Sequence, residues 1–467
     1  MNNELENNLN IPWQVERYET LAGADASVYF DVDDFEEIVD YYVHRAQYNM
    51  ALKVAEYACT VHPTSIPLML KRAQLLASVN KEDRALELLS QVETLEPSNP
   101  DVFLTKGAIY SQMRNYEKAI EEYNKAIVDA EEPDFVYCNI AFEYENMGNF
   151  DKTIEYLGKA LELNPDNDLA IYEAAYCFDL LSLTDESIRF FNTLLDRHPY
   201  STEAWFNLGV SYINSGKFEK ALEALEYAIA IEEDHEHSWF HKGYALSLLG
   251  RHQEALEAYQ ESLTGDDETD VMKFYYIGEC YEKMDDYRRA AEYFHKCTRT
   301  DPTMADAWMG LGVCELENGI PSKAVKYMKK GVDLDPTNSG YLCMLAEAWV
   351  ANDNLVKAAA CFEKALETDN KDEDTWLDYA EAYARDFNYE PAIDILARAL
   401  EVLPDSSPLQ YRMGAFLYLE GKPKEGAFFL EEALMKDFEG HRLLLENYIA
   451  LAAVPEFLDL IDFYRPE

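Results

Sequence analysis

The chain has 467 residues, 48% of them hydrophobic, and carries 89 Asp and Glu against 40 Lys and Arg, a formal net charge of −49. That balance disfavours nucleic acid and anionic membrane surfaces as partners, because phosphate binding needs clustered Lys and Arg to displace counterions, and no run of them occurs. The apolar residues fall in amphipathic stripes and never fill the roughly 18 consecutive positions of a membrane-spanning helix, so a soluble, cytoplasmic protein is expected.

In chain order, the opening stretch MNNELENNLNIPWQ has neither a basic start nor an apolar run, and no signal peptide is expected. Residues 1–31 contain one basic residue, Arg17, and place Ile11, Val15, Tyr18 and Ala22 on one helical face, with Pro12 tolerable in a first turn. They read as a loose tail or short cap; the alternative is a segment that docks into a groove, its own or a neighbour's. From residue 32 a pattern repeats, and it is clearest over residues 201–234, STEAWFNLGVSYINSGKFEKALEALEYAIAIEED. Ala204, Trp205, Leu208, Gly209 and Tyr212 form one stripe at helical spacing. Gly216 breaks the period, and Phe218, Ala221, Leu222, Leu225, Ala228 and Ile229 form a second stripe, which predicts a helical hairpin. Trp205 recurs 34 residues on as Trp239, and that step continues, after one inserted residue, through Phe274, Trp308, Leu342 and Trp376.

The 34-residue period and the W-x2-L-G-x2-Y…A-x3-F…P pattern resemble the tetratricopeptide repeat (TPR) family, in the form of a long bacterial-type array without another recognisable domain. With Trp205 as position 4, repeats start at Val32, Ile66, Pro100, Asp134, Asp168, Thr202, Glu236, Val271, Ala305, Ser339, Glu373 and Ser407, twelve units over residues 32–440. The resemblance implies an all-α fold, a right-handed superhelical solenoid with caps at 1–31 and 441–467. The net charge amounts to about four excess negative charges per repeat.

Position 8 is Gly or Ala in every unit but the first, which has Val39, and position 20 is small throughout, from Ala51 to Gly426. These columns let two helices approach; a bulky side chain there costs about 1–3 kcal/mol. Proline at position 32 ends the second helix in seven units. Leu194 and Val92 at position 27 and Glu315 at position 11 depart from the family pattern. Cys177, Cys280, Cys314 and Cys297 fall at packing positions, and the eight cysteines, without a C-x-x-C, read as buried small hydrophobes in a reducing compartment. The inserted residue falls in LTGDDETD, 263–270, read as a lengthened turn or, alternatively, a hinge. Beyond 440 the period fails, and HRLLLENYIALAAVPEFLDLIDFY reads as two helices separated near Pro455. Phe457, Leu458, Leu460, Ile461, Phe463 and Tyr464 pack on the last repeat or make a dimer contact.

Function has to come from a site and not from the fold. The resemblance implies a concave groove lined by positions 2, 5, 6, 9, 12 and 13 of the first helices. There stand Asn139, Phe142, Tyr172, Tyr176, Phe206, Asn207, Phe240, His241, Tyr244, Tyr275 and Glu279. Aromatic rings bury large area, asparagines bond a peptide backbone, and the carboxylates favour basic residues, so the groove suits a peptide with apolar anchors and some basic residues. The competing reading is that the rings stack between repeats. No unit has Lys at position 5 or Asn at position 9, the signature of members that clamp acidic chaperone tails. His237 and His241, four apart on one helical face, are a candidate metal pair, but H-E-x-x-H is not met because Ser238 follows His237. The expected function is a non-enzymatic, cofactor-free adaptor that binds a protein segment. A self-associating scaffold, paired through the C-terminal cap or N-terminal tail into a homodimer, is the alternative, and a metal-dependent enzyme the third class.

Overall fold

The computed structural model describes residues 12–22, 29–263, 270–385 and 387–465, and among them the regular structure is helical, with no strand. The chain divides into two compact units, Met1–Glu233 and Asp234–Glu467. In the first unit, α1 (Trp13–Ala22) precedes six hairpins: α2 (Val32–His44) with α3 (Tyr48–Val61), α4 (Ile66–Ser78) with α5 (Glu82–Leu95), α6 (Pro100–Gln112) with α7 (Tyr116–Ala126), α8 (Pro133–Asn146) with α9 (Phe150–Leu163), α10 (Asp168–Leu180) with α11 (Thr184–Arg197), and α12 (Thr202–Asn214) with α13 (Phe218–Ile231). The second unit has α14 (Glu236–Leu248) with α15 (His252–Glu261), α16 (Val271–Lys283) with α17 (Tyr287–Thr300), α18 (Ala305–Glu317) with α19 (Pro321–Leu334), α20 (Ser339–Ala351) with α21 (Leu355–Thr368), α22 (Glu373–Ala384) with α23 (Tyr389–Val402), α24 (Ser407–Leu419) with α25 (Pro423–Lys436), then α26 (His441–Asn447) and α27 (Pro455–Phe463).

Every hairpin turns on one residue in the left-handed region. Gly148, Gly216, Gly250, Gly319 and Gly421 fill five of these places, Gly216 at φ 70°, but Ala46, Asn80, Arg114, Ser182, Asp285, Asp353 and Phe387 fill the rest. A side chain there costs roughly 1–2 kcal/mol, so tertiary packing overrides local preference at these turns. The following residue often caps the second helix: Asn115, Asn149, Asp286 and Asn354 each accept the N–H three residues on, as Asp286 does from Arg289 at 3.0 Å.

Within a hairpin the small columns meet large side chains. A Cβ added to Gly243 would lie 2.7 Å from Tyr259, and one added to Gly278 would lie 2.8 Å from Phe294. Only a hydrogen fits there. Some hairpins are tied to their predecessors by position 4. The indole N–H of Trp205 donates to the carbonyl of Pro199 at 2.9 Å, Trp308 to Pro302 at 2.9 Å and Trp376 to Asn370 at 2.9 Å. Where the last unit has glutamine instead, Gln410 Nε2 makes the same bond to Pro404 at 2.9 Å.

At the N-terminal end α1 packs on α2, with Val15 buried, Gln14 donating to Glu37, and the Tyr42 hydroxyl donating to Glu19 at 2.9 Å. Ile11 and residues 264–269, most of the 263–270 stretch in which the one inserted residue falls, lie outside the described residues. After α26 the chain does not continue as one helix to Pro455; a 3-10 turn, Ile449–Ala453, intervenes. The residue before a proline is held extended, as Val454 is (φ −100°, ψ 103°), and the chain ahead of it tightens as helix ends commonly do. Phe457 and Ile461 are buried in the core of the last hairpins, Leu458, Leu460 and Tyr464 are half-buried against it, and Phe463 is 78% exposed.

Candidate functional site

The first unit brings four of the expected groove residues around one hollow. Tyr172, Tyr176 and Asp179 of α10 face Glu203, Phe206, Asn207, Val210 and Asn214 of α12 across a space of about 390 Å³. Its floor is a buried hydrogen bond between the hydroxyls of Ser187 and Ser211 at 2.7 Å, and Ser211 also lies 2.8 Å from the Asn207 carbonyl. The Asn207 amide nitrogen donates to Glu203 O at 2.8 Å, which leaves its Oδ1 as an acceptor, and Asn214 donates to Asp179 at 3.2 Å on the rim. Tyr172 is 65% exposed and Tyr176 46%, and neither stacks on another ring among the described residues.

Carboxylates crowd the same face. Burial, then the Glu145 charge, raises the Glu173 carboxyl above its ordinary range, and burial with Glu145 and Glu173 pushes the Cys177 thiol up to about 12. Asp168 is raised by burial, then by Glu203 and Asp166. A hollow of about 350 Å³ upstream is lined by Asn139 and Phe135 of α8 together with Leu104, Ala108 and Gln112 of α6. Phe142 is half-buried against the neighbouring core. A larger hollow of about 580 Å³ lies between α9 and α11, around Gly158 and Phe190, and holds none of the expected site residues.

The second unit treats its rings differently. Phe240 and Tyr244 each lie 5.6 Å, centroid to centroid, from Tyr276, and Tyr276 stacks on buried Tyr259 at 5.7 Å. Tyr275 lies 5.8 Å from Phe294, and its hydroxyl donates to Glu279 at 2.9 Å. These rings are knitted into the packing of α14, α15, α16 and α17. Burial raises Glu279, with Asp306 adding and Tyr275 and Lys283 opposing; it raises Glu282 as well, with Glu279 and Glu317 adding and Lys283 opposing.

His235 and His241 serve the backbone of α14. His235 Nδ1 accepts from the Ser238 N–H at 3.3 Å as the helix N-cap. His241 Nδ1 lies 2.9 Å from the His237 carbonyl, and burial depresses the His241 imidazole. Among the described residues no three His, Cys, Asp or Glu side chains converge as a metal site would need.

Tetratricopeptide repeat models match residues 100–127, 135–167, 206–269, 278–339 and 350–413, more than half of the chain. The chain belongs to the tetratricopeptide repeat family. Repeats of this family typically mediate protein–protein interactions and build non-catalytic scaffolds. No curated protein matches this TPR chain. Among solved structures it is similar to MamA, residues 41 to the end, from Desulfovibrio magneticus, with 25% identity over 37% of this chain and 97% of that one and a TM-score of 0.35. YrrB, described as a TPR protein with an unusual peptide-binding site, is 22% identical over 40% of this chain and 96% of its own, with a TM-score of 0.34. The Cut9–Hcn1 hetero-tetramer of the APC/C matches at 14% identity over 98% of this chain and 99% of that chain, with a TM-score of 0.41. No helix among the described residues is long and apolar enough to cross a membrane.

Two features escaped the sequence reading. The Ser187–Ser211 floor pairs a small column with a residue that carries no signal of its own. The charge of the second helices becomes visible only when it is summed helix by helix.

Proposed function

We propose that this TPR protein is a non-enzymatic, cytoplasmic adaptor that binds a protein segment at the first-helix face of its first unit, with the hollow between α10 and α12 as the anchor. One observation carries this reading: Tyr172 and Tyr176 hold large rings in solvent beside Phe206 and Asn207 instead of packing them. Exposed aromatics beside a hollow offer area to a ligand at low entropic cost. The surrounding carboxylates, Asp179 and Glu203, favour a segment with basic residues beside its apolar anchor.

The test is a library of synthetic peptides with aromatic or aliphatic anchors and flanking Lys or Arg, titrated against the full chain. Peptides that bind lose about tenfold or more in affinity on Tyr172→Ala with Tyr176→Ala, a loss typical of anchor residues, and keep their affinity on Phe240→Ala. Binding unmoved by the tyrosine pair would refute the reading.

A second reading, self-association through the C-terminal cap, is favoured by Leu443, Ile449 and Phe463, all exposed on that cap. Sedimentation of wild type and of an Ile449→Glu, Phe463→Glu variant decides it: a mass that grows with concentration in the first and not in the second supports it, and a constant monomer mass removes it.

A further inference from the structure

The second helices of a −49 chain are acidic or neutral, with two exceptions that are neighbours. α17 carries Arg288, Arg289, Lys296 and Arg299 against Glu292, and α19 carries Lys323, Lys326, Lys329 and Lys330 against Asp333. The two helices are in contact: the His295 ring of α17 lies 5.8 Å from Tyr327 of α19. All eight cations are exposed. Three of them have carboxylate partners, Arg288 with Glu292, Arg289 with Asp286 and Lys323 with Glu315. Lys296, Arg299, Lys326, Lys329 and Lys330 make no ion pair among the described residues. In so acidic a chain, five exposed cations on adjoining helices thus stand without an ion pair, Lys296 lying over the Tyr293 ring (4.4 Å to its centroid) and Lys330 over Trp308, and together they form a local basic surface.

We propose that the exposed face of α17 and α19 docks a short acidic peptide segment of a partner protein, independently of the α10–α12 hollow. Two observations favour a short acidic peptide over a nucleic acid. The basic face is bounded: each helix is about 21 Å long, enough for about six extended residues, and the preceding second helix, α15, carries Glu254, Glu257 and Glu261 with no cation. A long polyanion runs onto those carboxylates. The rings at the seam are also already covered. Trp308 stacks on Tyr327 at 5.9 Å with Lys330 Nζ 3.9 Å from its centroid, so no open indole face awaits a base, whereas stacking platforms are what single-stranded nucleic acids use. A second copy meeting through this same face is disfavoured, since its α17 and α19 cations would oppose these.

Fluorescence anisotropy with the full chain tests this, using labelled hexaglutamate and a labelled twelve-nucleotide oligothymidine at about 50 mM salt, where surface electrostatics are weakly screened. Hexaglutamate is expected to bind at least tenfold tighter than the oligonucleotide. Lys326→Glu with Lys329→Glu and Lys330→Glu is expected to weaken it about tenfold or more, since lost charge-assisted contacts are replaced by repulsion, and Lys296→Glu with Arg299→Glu to do so separately. These residues are exposed, and an unchanged far-ultraviolet circular dichroism spectrum shows that the fold is kept. Tyr172→Ala with Tyr176→Ala is expected to change nothing, which separates this surface from the hollow. Equal hexaglutamate binding by wild type and both charge-reversed variants, or tighter binding of the oligonucleotide, would overturn the proposal.

Discussion

Replacing Gly243 with alanine would set a methyl carbon 2.7 Å from Tyr259 Cδ1 and 2.8 Å from its Cε1. Carbon atoms rest at about 3.5–4.0 Å, so the ring has to retreat by about 1 Å. It has nowhere to go, because Tyr259 is fully buried and lies 5.5 Å from Phe240 and 5.7 Å from Tyr276. Overpacking of this kind costs about 1–3 kcal/mol. Tyr259→Leu alone removes buried ring atoms and leaves a cavity, also about 1–3 kcal/mol, below the range for complete truncation of an aromatic. In the double variant the new methyl meets a smaller side chain. The same pairing stands buried elsewhere as Ala380 with Leu396 and Ala141 with Leu157. The two substitutions are therefore expected to be less damaging together than the sum of their separate effects, by about 1 kcal/mol or more, within the range of contacting pairs. A repeat array does not unfold as one two-state body, so the readout is native-state hydrogen exchange of the α14 and α15 amides, which reports local opening. Losses that add to within about 0.5 kcal/mol would show that the glycine does not set this contact.

Arg114→Gly relieves a left-handed side chain and is expected to stabilise α6–α7 by about 0.5–1 kcal/mol, net of the glycine's unfolded-state entropy, whereas Gly216→Ala costs about 1 kcal/mol although nothing lies within 4 Å of the added carbon; exchange in the two hairpins checks both. Gln410→Leu leaves the Pro404 carbonyl without its donor and is expected to lower local stability by about 1–2 kcal/mol, read from α24 amides, with Gln410→Trp retaining the bond. Glu282, raised chiefly by burial, binds its proton more readily folded than unfolded. Its charge thus costs stability above its folded pKa, and that cost disappears as pH falls through the folded pKa toward the ordinary carboxylate range. Glu282→Gln should then slow α16 exchange relative to wild type near about pH 7.5 and have no effect near about pH 4; an equal effect at both would contradict the assignment.

The fold was legible because its causes are local and periodic. The spacing of Trp205, Trp308 and Trp376, the small columns and the prolines each act within a hairpin or at its exit. The binding face was less so. Tyr172 and Phe240 occupy the same column, yet one is open and the other packed, and the cause sits on the following hairpin: Asn207 stands where Tyr276 stands one pair later, and an amide leaves the space that a ring fills. Position alone carries no record of what the next unit presents. The basic face of α17 and α19 was less legible for a related reason, since its two groups of cations lie a repeat apart along the chain and are joined into one face only by the helices' contact.

The bond from position 4 to the carbonyl six residues earlier has a bearing on how this array tolerates change in length. Each such bond closes a ring of fixed size across the joint between hairpins, and one residue more or less would pull donor and acceptor out of register. The joints ahead of Trp205, Trp308, Trp376 and Gln410 are in this sense measured. The joint ahead of α16 is not, because Phe274 has no hydrogen to donate, and this is where the sequence carries its extra residue. Insertions should be accepted at joints that lead into Ile171, Phe274 or Leu342 and rejected at the measured ones, so the fourth residue of a unit marks in advance where the array can be lengthened.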